Sequence, residues 1–268
     1  MTTNEGEHSQ VVRQQFRLQA PGFERHVRAF ENDRILTWIL GHLELQPHLV
    51  ALDVATGTGL LGRALASYVQ RVVALDVTPE MLAHGRQQAE AEGINNISFE
   101  EGDATRLPYP DNSFDLVACR IGMHHFLQPQ VPAQQMVRVC RAGGQVAIVD
   151  IVSSPDAEVA ASHNRLERLR DPSHTRALPA RELRRIAEEC GLKIVRTGGT
   201  EAQQNLQGWM DLTHTRPDVR RSVIQAMEEE LGGGRPTGMR PFRKDGQLMF
   251  HHSWVILVGL KATSIRGE

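Results

Sequence analysis

The sequence predicts an α/β fold: a doubly wound, mostly parallel seven-stranded sheet with helices on both faces and a helical insertion. Three observations carry this. Short apolar runs alternate with helix-like stretches from residue 49 to residue 198. The runs ("HLVALDV", "RVVALDV", "QVAIVDIV") are continuously apolar, as strands covered on both faces must be. The first run opens into "ATGTGLLG", a glycine-rich turn of the kind that leads from a buried strand into a helix.

In chain order, a polar start precedes "GFERHVRAFENDRILTWILGHL". There Val27, Phe30, Ile35, Trp38 and Ile39 fall near helical spacing, an amphipathic helix within an N-terminal cap over residues 11–43. The first strand and its turn, "HLVALDVATGTG", lead into the helix "LLGRALASYV" and then the second strand "RVVALDV". Thr78 suits a helix cap and Pro79 the first helical position, and the helix stops at Gly93. "NISFEEGDA", "SFDLVAC" and "GGQVAIVDIV" are the third to fifth strands, the last two joined by a helix around "PAQQMVRVCRA". "PARELRRIAEEC" places Leu183, Ile186, Ala187 and Cys190 on one face and ends at Gly191. "LKIVRTG" and "HHSWVILVGLK" follow as the sixth and seventh strands, so the core sheet occupies residues 49–198 and 251–261 of a single domain over 1–268.

Two segments break the alternation. Residues 153–178 hold a helix and then "RDPSHTRALP". Residues 199–250 hold two helices, around Gln204–Leu212 and Asp218–Leu231, with "GGGRPTG" and "RKDGQ" as turns. Open α/β sheets bind ligands beyond the carboxyl ends of their strands, so both segments, with the N-terminal helix, are expected to roof a site, residues 199–250 as a substrate lid.

Bulk properties narrow the function. The 268 residues carry a net charge of −2, with arginines interleaved among acids, which leaves no footprint for nucleic acid. Cys119, Cys140 and Cys190 stand apart without paired spacing, which argues against disulfides and against a cysteine-held zinc. No apolar run approaches the ~18 residues of a membrane span. The polar, acidic start does not resemble a secretory signal, so a cytoplasmic protein is expected.

"GTGLLG" matches the dinucleotide fingerprint G-x-G-x-x-G literally, but a lone match is weak. Asp53, four residues before Gly57, favours a cation at the strand end and would repel a pyrophosphate; it suits a turn cap as well. Asp76, ending the second strand, fits ribose hydroxyls whatever the nucleotide. Asp103 can accept from an adenine amino group, with Met81 as an apolar wall, although alone it reads as a turn cap.

Taken together, "VALDVATGTG", "VVALDVTPEML", "EGDATRLPYPDNSFDLV" and "RVCRAGGQVAIVDIV" resemble the successive motifs of the class I S-adenosylmethionine-dependent methyltransferases. The branch most similar is that of the ubiquinone/menaquinone biosynthesis C-methyltransferases; the resemblance runs from about Val11 to Leu260 and is weakest in 199–250. It implies a Rossmann-like methyltransferase fold and S-adenosyl-L-methionine as cofactor. Asp53, Ala55, Thr56, Gly57, Thr58 and Gly59 would form the turn around its methionine part. Asp76 and Val77 would serve the ribose, Met81 the adenine face, and Gly102, Asp103 and Ala104 the amino edge. Arg120 would lie near the methionine portion, and Phe16 and Phe23 would close over the cofactor.

Methyl transfer from a sulfonium is an in-line displacement that needs alignment, and a general base only where the acceptor must lose a proton. His124 and His125, directly after the fourth strand, and His174 in "RDPSH" are the candidate bases, each equally readable as a loop or packing residue. No metal site is expected, because the twelve histidines show no chelating spacing. No [D/N]-P-P-[Y/F/W] follows the fourth strand, which sets nucleic-acid amino groups aside; arsenite would need placed cysteines. What remains is a small-molecule acceptor (O, C, N or S) under the lid, with Trp209, Met210, Met227, Phe242 and Met249 as pocket residues. Two alternatives stay open: a cofactor-binding protein that transfers no methyl, as an interaction module or a cyclisation enzyme, and an NAD(P)-dependent oxidoreductase.

Overall fold

A computed structural model describes residues 3–30 and 32–262, and their side chains except those of 3, 4, 27–30, 32 and 33. The helix positions Val27 and Phe30 thus lie outside the described side chains. The chain runs α1 (Thr3–Phe30), α2 (Asn32–Leu40), β1 (Val50–Val54), α3 (Leu60–Ala66), β2 (Arg71–Asp76), α4 (Pro79–Ala91) and β3 (Ile97–Glu101). It continues through β4 (Phe114–Arg120), α5 (Gln130–Val139), β5 (Cys140–Ile151), α6 (Ala157–Arg170), α7 (Ala180–Glu189) and β6 (Leu192–Asn205). The last elements are α8 (Leu206–Leu212), α9 (Pro217–Leu231), β7 (Phe242–Lys244) and β8 (Gln247–Lys261).

The sheet order is β3-β2-β1-β4-β5-β8-β6, with β7 paired to β8. β1 to β5 are parallel, and β8 enters antiparallel between β5 and β6. The chain winds outward from β1 to β3 and then returns to β4, so a crevice opens at the carboxyl ends of β1 and β4.

Alternate strand residues face opposite layers. Leu52 and Val54 join Met136 of α5 and Leu183 and Ile186 of α7 in one core. Ala51 joins Ile35 and Ile39 of α2 and Leu61 and Leu65 of α3 in the other. That double burial is why the strand runs are apolar on both faces, apart from aspartates near their carboxyl ends.

Two elements differ from expectation, and one expected turn gains flanking strands. The N-terminal helix starts at Thr3 and contains Pro21, and a second helix follows it. β6 runs to Asn205, beyond residue 198, because β8 begins early enough to pair with it from Leu192↔Lys261 to Asn205↔Met249. "RKDGQ" is the tight turn of the β7–β8 hairpin, with left-handed φ at Asp245 (51°) and Gly246 (76°). The 199–250 insertion has its own small core, in which Leu166 of α6 meets Leu206, Met210, Val223, Met227, Met239 and Phe250.

Candidate active site

A cavity of about 490 Å³ lies over the strand ends, within the range of small-molecule sites. Its sheet side is formed by Ala55, Thr56 and Gly57 after β1, Asp76 and Val77 after β2, and Gly102, Asp103 and Ala104 after β3. Arg120, His124 and His125 after β4 continue the wall, and Phe16 and Phe23 of α1 cover it.

The glycine turn is built by conformation. Ala55, Gly57 and Gly59 take left-handed φ values of 53°, 58° and 77°. A Cβ at Gly59 would come within 2.6 Å of the Phe99 ring, so both its φ and its neighbour demand glycine. Asp76 ties the turn to β2: Oδ2 accepts from the Gly57 amide at 2.8 Å and Oδ1 from the Thr78 amide at 2.9 Å. Burial raises its pKa, with the two amides acting against the rise.

Asp53, Thr58, Gly59 and Met81 are not on the cavity wall. Asp53 shares the α3 side of β1 with Ala51, so its carboxylate turns towards Gly62. Oδ2 accepts from Thr56 Oγ1 at 2.5 Å and from the Gly62 amide at 2.9 Å, while Oδ1 is buried without a partner. A Cβ at Gly62 would lie 3.2 Å from that carboxylate, so Gly62 makes room for it as well as packing on Ile97. Burial pushes the Asp53 pKa up to about 7, against the Thr56 and Gly62 bonds, and the nearby Asp76 adds to the rise. Met81 is fully buried behind the wall. The Thr58 hydroxyl donates to Glu24 of α1 at 2.8 Å. Asp103 lines the cavity and also caps the short turn at 104–106, accepting from the Thr105 amide and hydroxyl at 2.8 and 2.7 Å.

The three candidate histidines converge, in different states. His124 Nδ1 lies 2.6 Å from Asp150 Oδ1, and Asp150 Oδ2 accepts the His124 amide at 3.0 Å. With Nδ1–H donating to the carboxylate, Nε2 is the nitrogen left to accept a proton. Burial opposes the charged ring, but the charge and bond of Asp150 outweigh it, and the His124 pKa is raised. His125 lies against His124, centroids 4.2 Å apart and rings tilted by 44°; burial and that neighbour lower its pKa to about 4. His174 Nε2 lies 2.9 Å from Asn164 Oδ1, and burial lowers its pKa to about 2. Burial keeps that ring neutral and makes it a poor proton acceptor, so His174 serves as an anchor for the segment after α6, against its reading as a base.

The wall also includes residues that sequence reasoning missed, among them Gln19, Glu167, Arg170, Asp171, Gln204 and Trp254. His252 also lines it, and its Nε2 lies 2.8 Å from Glu167 Oε1. Arg170 stacks over Trp209 at 4.6 Å, and Arg120 over Trp254 at 5.3 Å. Of the expected pocket residues only Trp209 reaches the wall. Met210 and Met227 are sealed in the core of the insertion, whose helices need an apolar centre of their own, and Phe242 pairs with Met249 across the hairpin. Asp150 had a signal, as the one charged residue inside "QVAIVDIV". Spacing along the chain also did not reveal that His163 and Glu167 of α6 meet His252 of β8, because the two elements are distant in sequence.

α1 is pinned over the turn. Phe23 lies 3.7 Å from the Cβ position of Gly57, and Phe16 meets His125 edge-on at 4.9 Å. Glu24 accepts from Arg63 Nη2 at 2.6 Å as well as from Thr58. Among the described residues, no helix is long and apolar enough to cross a membrane.

Residues 51–144, which hold the glycine turn, Asp76, Asp103 and His124, match the family model described as a methyltransferase domain. Over those residues the chain carries a methyltransferase domain. A methyltransferase of Bacillus subtilis, YcgJ, is 27% identical over 240 residues, 88% of this chain and 94% of its own length. The YcgJ crystal structure superposes with a TM-score of 0.77 at 25% identity, covering 86% of this chain and 99% of that chain. Demethylmenaquinone methyltransferase of Deinococcus radiodurans is 44% identical over 101 residues, 37% of this chain and 42% of the relative. The [4+2]-cyclase SpnF shares the fold, with a TM-score of 0.63 at 18% identity over 87% of this chain and 82% of the cyclase.

Proposed function

We propose that this methyltransferase binds S-adenosylmethionine against the glycine turn and methylates a small-molecule acceptor whose proton passes to His124. The residues present fit that cofactor. Asp76, on the cavity wall, is a buried carboxylate with a raised pKa, and the buried Asp53 lies behind the same turn; a cationic ligand in the cavity lowers the cost of their ionisation, where a pyrophosphate would raise it. When bound, the cofactor supplies an activated methyl group on sulfur.

The protein then has three tasks. Asp76 and the left-handed turn hold the nucleoside, with Asp103 and Ala104 at the base edge. α1, through Phe16 and Phe23, excludes water from the reacting end. The observation that carries the reading is His124 on the wall of one cavity shared by the turn and the insertion, with Asp150 paired to its ring from behind that wall. Asp150 orients the imidazole and stabilises its charged form, so Nε2 is equipped to take a proton from a hydroxyl, phenol or carbon acid. An amine or thiol acceptor makes less use of such a base.

The test is calorimetric binding of S-adenosylhomocysteine and of NADH, followed by label transfer from methyl-labelled cofactor to panels of phenols, alcohols and carbon acids. Saturable binding of the first ligand alone, with transfer that falls in His124→Ala, is the expected outcome. Binding of NADH would replace this reading with a dehydrogenase. Binding of S-adenosylhomocysteine without transfer to any acceptor would favour a non-transferring protein of the same fold.

A further inference from the structure

We infer that His163, Glu167 and His252 form a binding site for a divalent transition-metal ion of the zinc class, bordering the acceptor side of the cavity. The inference rests on the proposed function only for the identity of the molecule sharing that chamber. His163 and Glu167 stand four residues apart on one face of α6, and His252 reaches them from β8. One ligand atom from each lies within 4.8 Å of the other two.

The orientation points to an ion rather than a hydrogen-bonded hub. Both imidazoles address the same carboxylate oxygen: Glu167 Oε1 is 2.8 Å from His252 Nε2 and 3.6 Å from His163 Nε2. The other oxygen, Oε2, faces Arg170 Nη1 at 3.7 Å. A carboxylate that offers one oxygen to a metal and the other to a charged neighbour is held in a fixed orientation. His163 is 2% exposed, yet neither of its ring nitrogens has a hydrogen-bond partner. An imidazole always carries a donor or an acceptor at each nitrogen, so this burial is unfavourable unless something further binds there.

Two imidazoles and one carboxylate are the ligand set of zinc sites that keep an open fourth position. At metal–ligand distances of about 2.0–2.2 Å, tetrahedral donors stand roughly 3.3 Å apart. The separations of 2.8 and 3.6 Å bracket that value, so small rotations suffice. Glu167 and His252 both line the cavity, so the open position would take water or an oxygen or nitrogen atom of the acceptor.

The test uses the full chain stripped with a chelator, then titrated with zinc chloride by calorimetry and with cobalt chloride by visible absorption. Uptake near one equivalent per chain, with a tetrahedral cobalt spectrum, is expected. His163→Ala should weaken uptake by at least about 100-fold, since even an outer partner of a ligand is worth about 10–100-fold. Circular dichroism and S-adenosylhomocysteine binding confirm that the variant is folded, and the cobalt spectrum of the unaltered chain needs no variant. No stoichiometric uptake, or uptake indifferent to His163→Ala in a folded protein, overturns the site. Failure of the unaltered, folded chain to bind S-adenosylhomocysteine would instead overturn the proposed function and leave the metal result standing.

Discussion

Asp150 holds His124 twice, by the ring Nδ1 at 2.6 Å and by the backbone amide at 3.0 Å. The first contact raises the basicity of Nε2, and the second fixes where the ring stands. Asp150→Asn keeps the shape and removes the charge. Turnover is expected to fall by about 10²–10⁴-fold, the range of a lost base. The sign of the pH effect is fixed: the carboxylate raises the His124 pKa, so its removal moves the rising limb of the kcat/KM profile to lower pH. S-adenosylhomocysteine affinity should change little. An unmoved limb would show that His124 does not titrate in the rate.

Asp53 predicts a trade between stability and binding. Its folded pKa of about 7 lies above the ordinary 3.8, so between these values the folded state holds a proton that the unfolded state releases. Stability from this group therefore declines as pH rises through that window. Asp53→Asn should raise the melting temperature of the ligand-free protein at pH 8, by roughly 2–4 °C per kcal/mol relieved. The gain should shrink towards pH 4, and cofactor affinity should fall. Scanning fluorimetry at both pH values checks it; a less stable variant at pH 8 would refute the burial argument.

Asp76 braces the turn and lines the cavity. Asp76→Ala is expected to weaken S-adenosylhomocysteine binding by about 1–3 kcal/mol, the scale of lost buried hydrogen bonds. Calorimetry decides: equal affinity would remove Asp76 from the ribose subsite.

Glu24 links α1 to the core through Thr58 and the buried Arg63. Breaking a buried ion pair from one side costs about 3–5 kcal/mol, and Glu24→Ala should fall near the low end because Glu92 still meets Arg63 at 3.2 Å. Hydrogen exchange should rise in α1 before any other helix. Uniform protection would mean that Glu24 is dispensable for closure.

Local chemistry was legible in the sequence and convergence was not. The strands, the glycine turn, Asp76 and Asp103 could be read because turn geometry and continuous burial act over a few residues. The direction of Asp53 escaped, because it depends on which layer β1 presents at that position and on the absence of a side chain at Gly62. His252 looked like a strand residue, and its meeting with Glu167, 85 positions away, is set by the placement of α6 against β8. The methionines of the insertion were misplaced because an apolar stripe does not say whether it faces a cavity or a neighbouring helix.

β6 and β8 run as one ladder from Leu192↔Lys261 in the core to Asn205↔Met249 in the insertion, with a register shift only between Ile194 and Arg196, well inside the core. A flap hinges on a loop, whereas a ladder of this length transmits no independent swing. The insertion therefore serves as a stationary back wall, and traffic of cofactor and product must pass the N-terminal helix. Release, and with it the ceiling on turnover, would then be governed by how often a single helix lifts from Arg63.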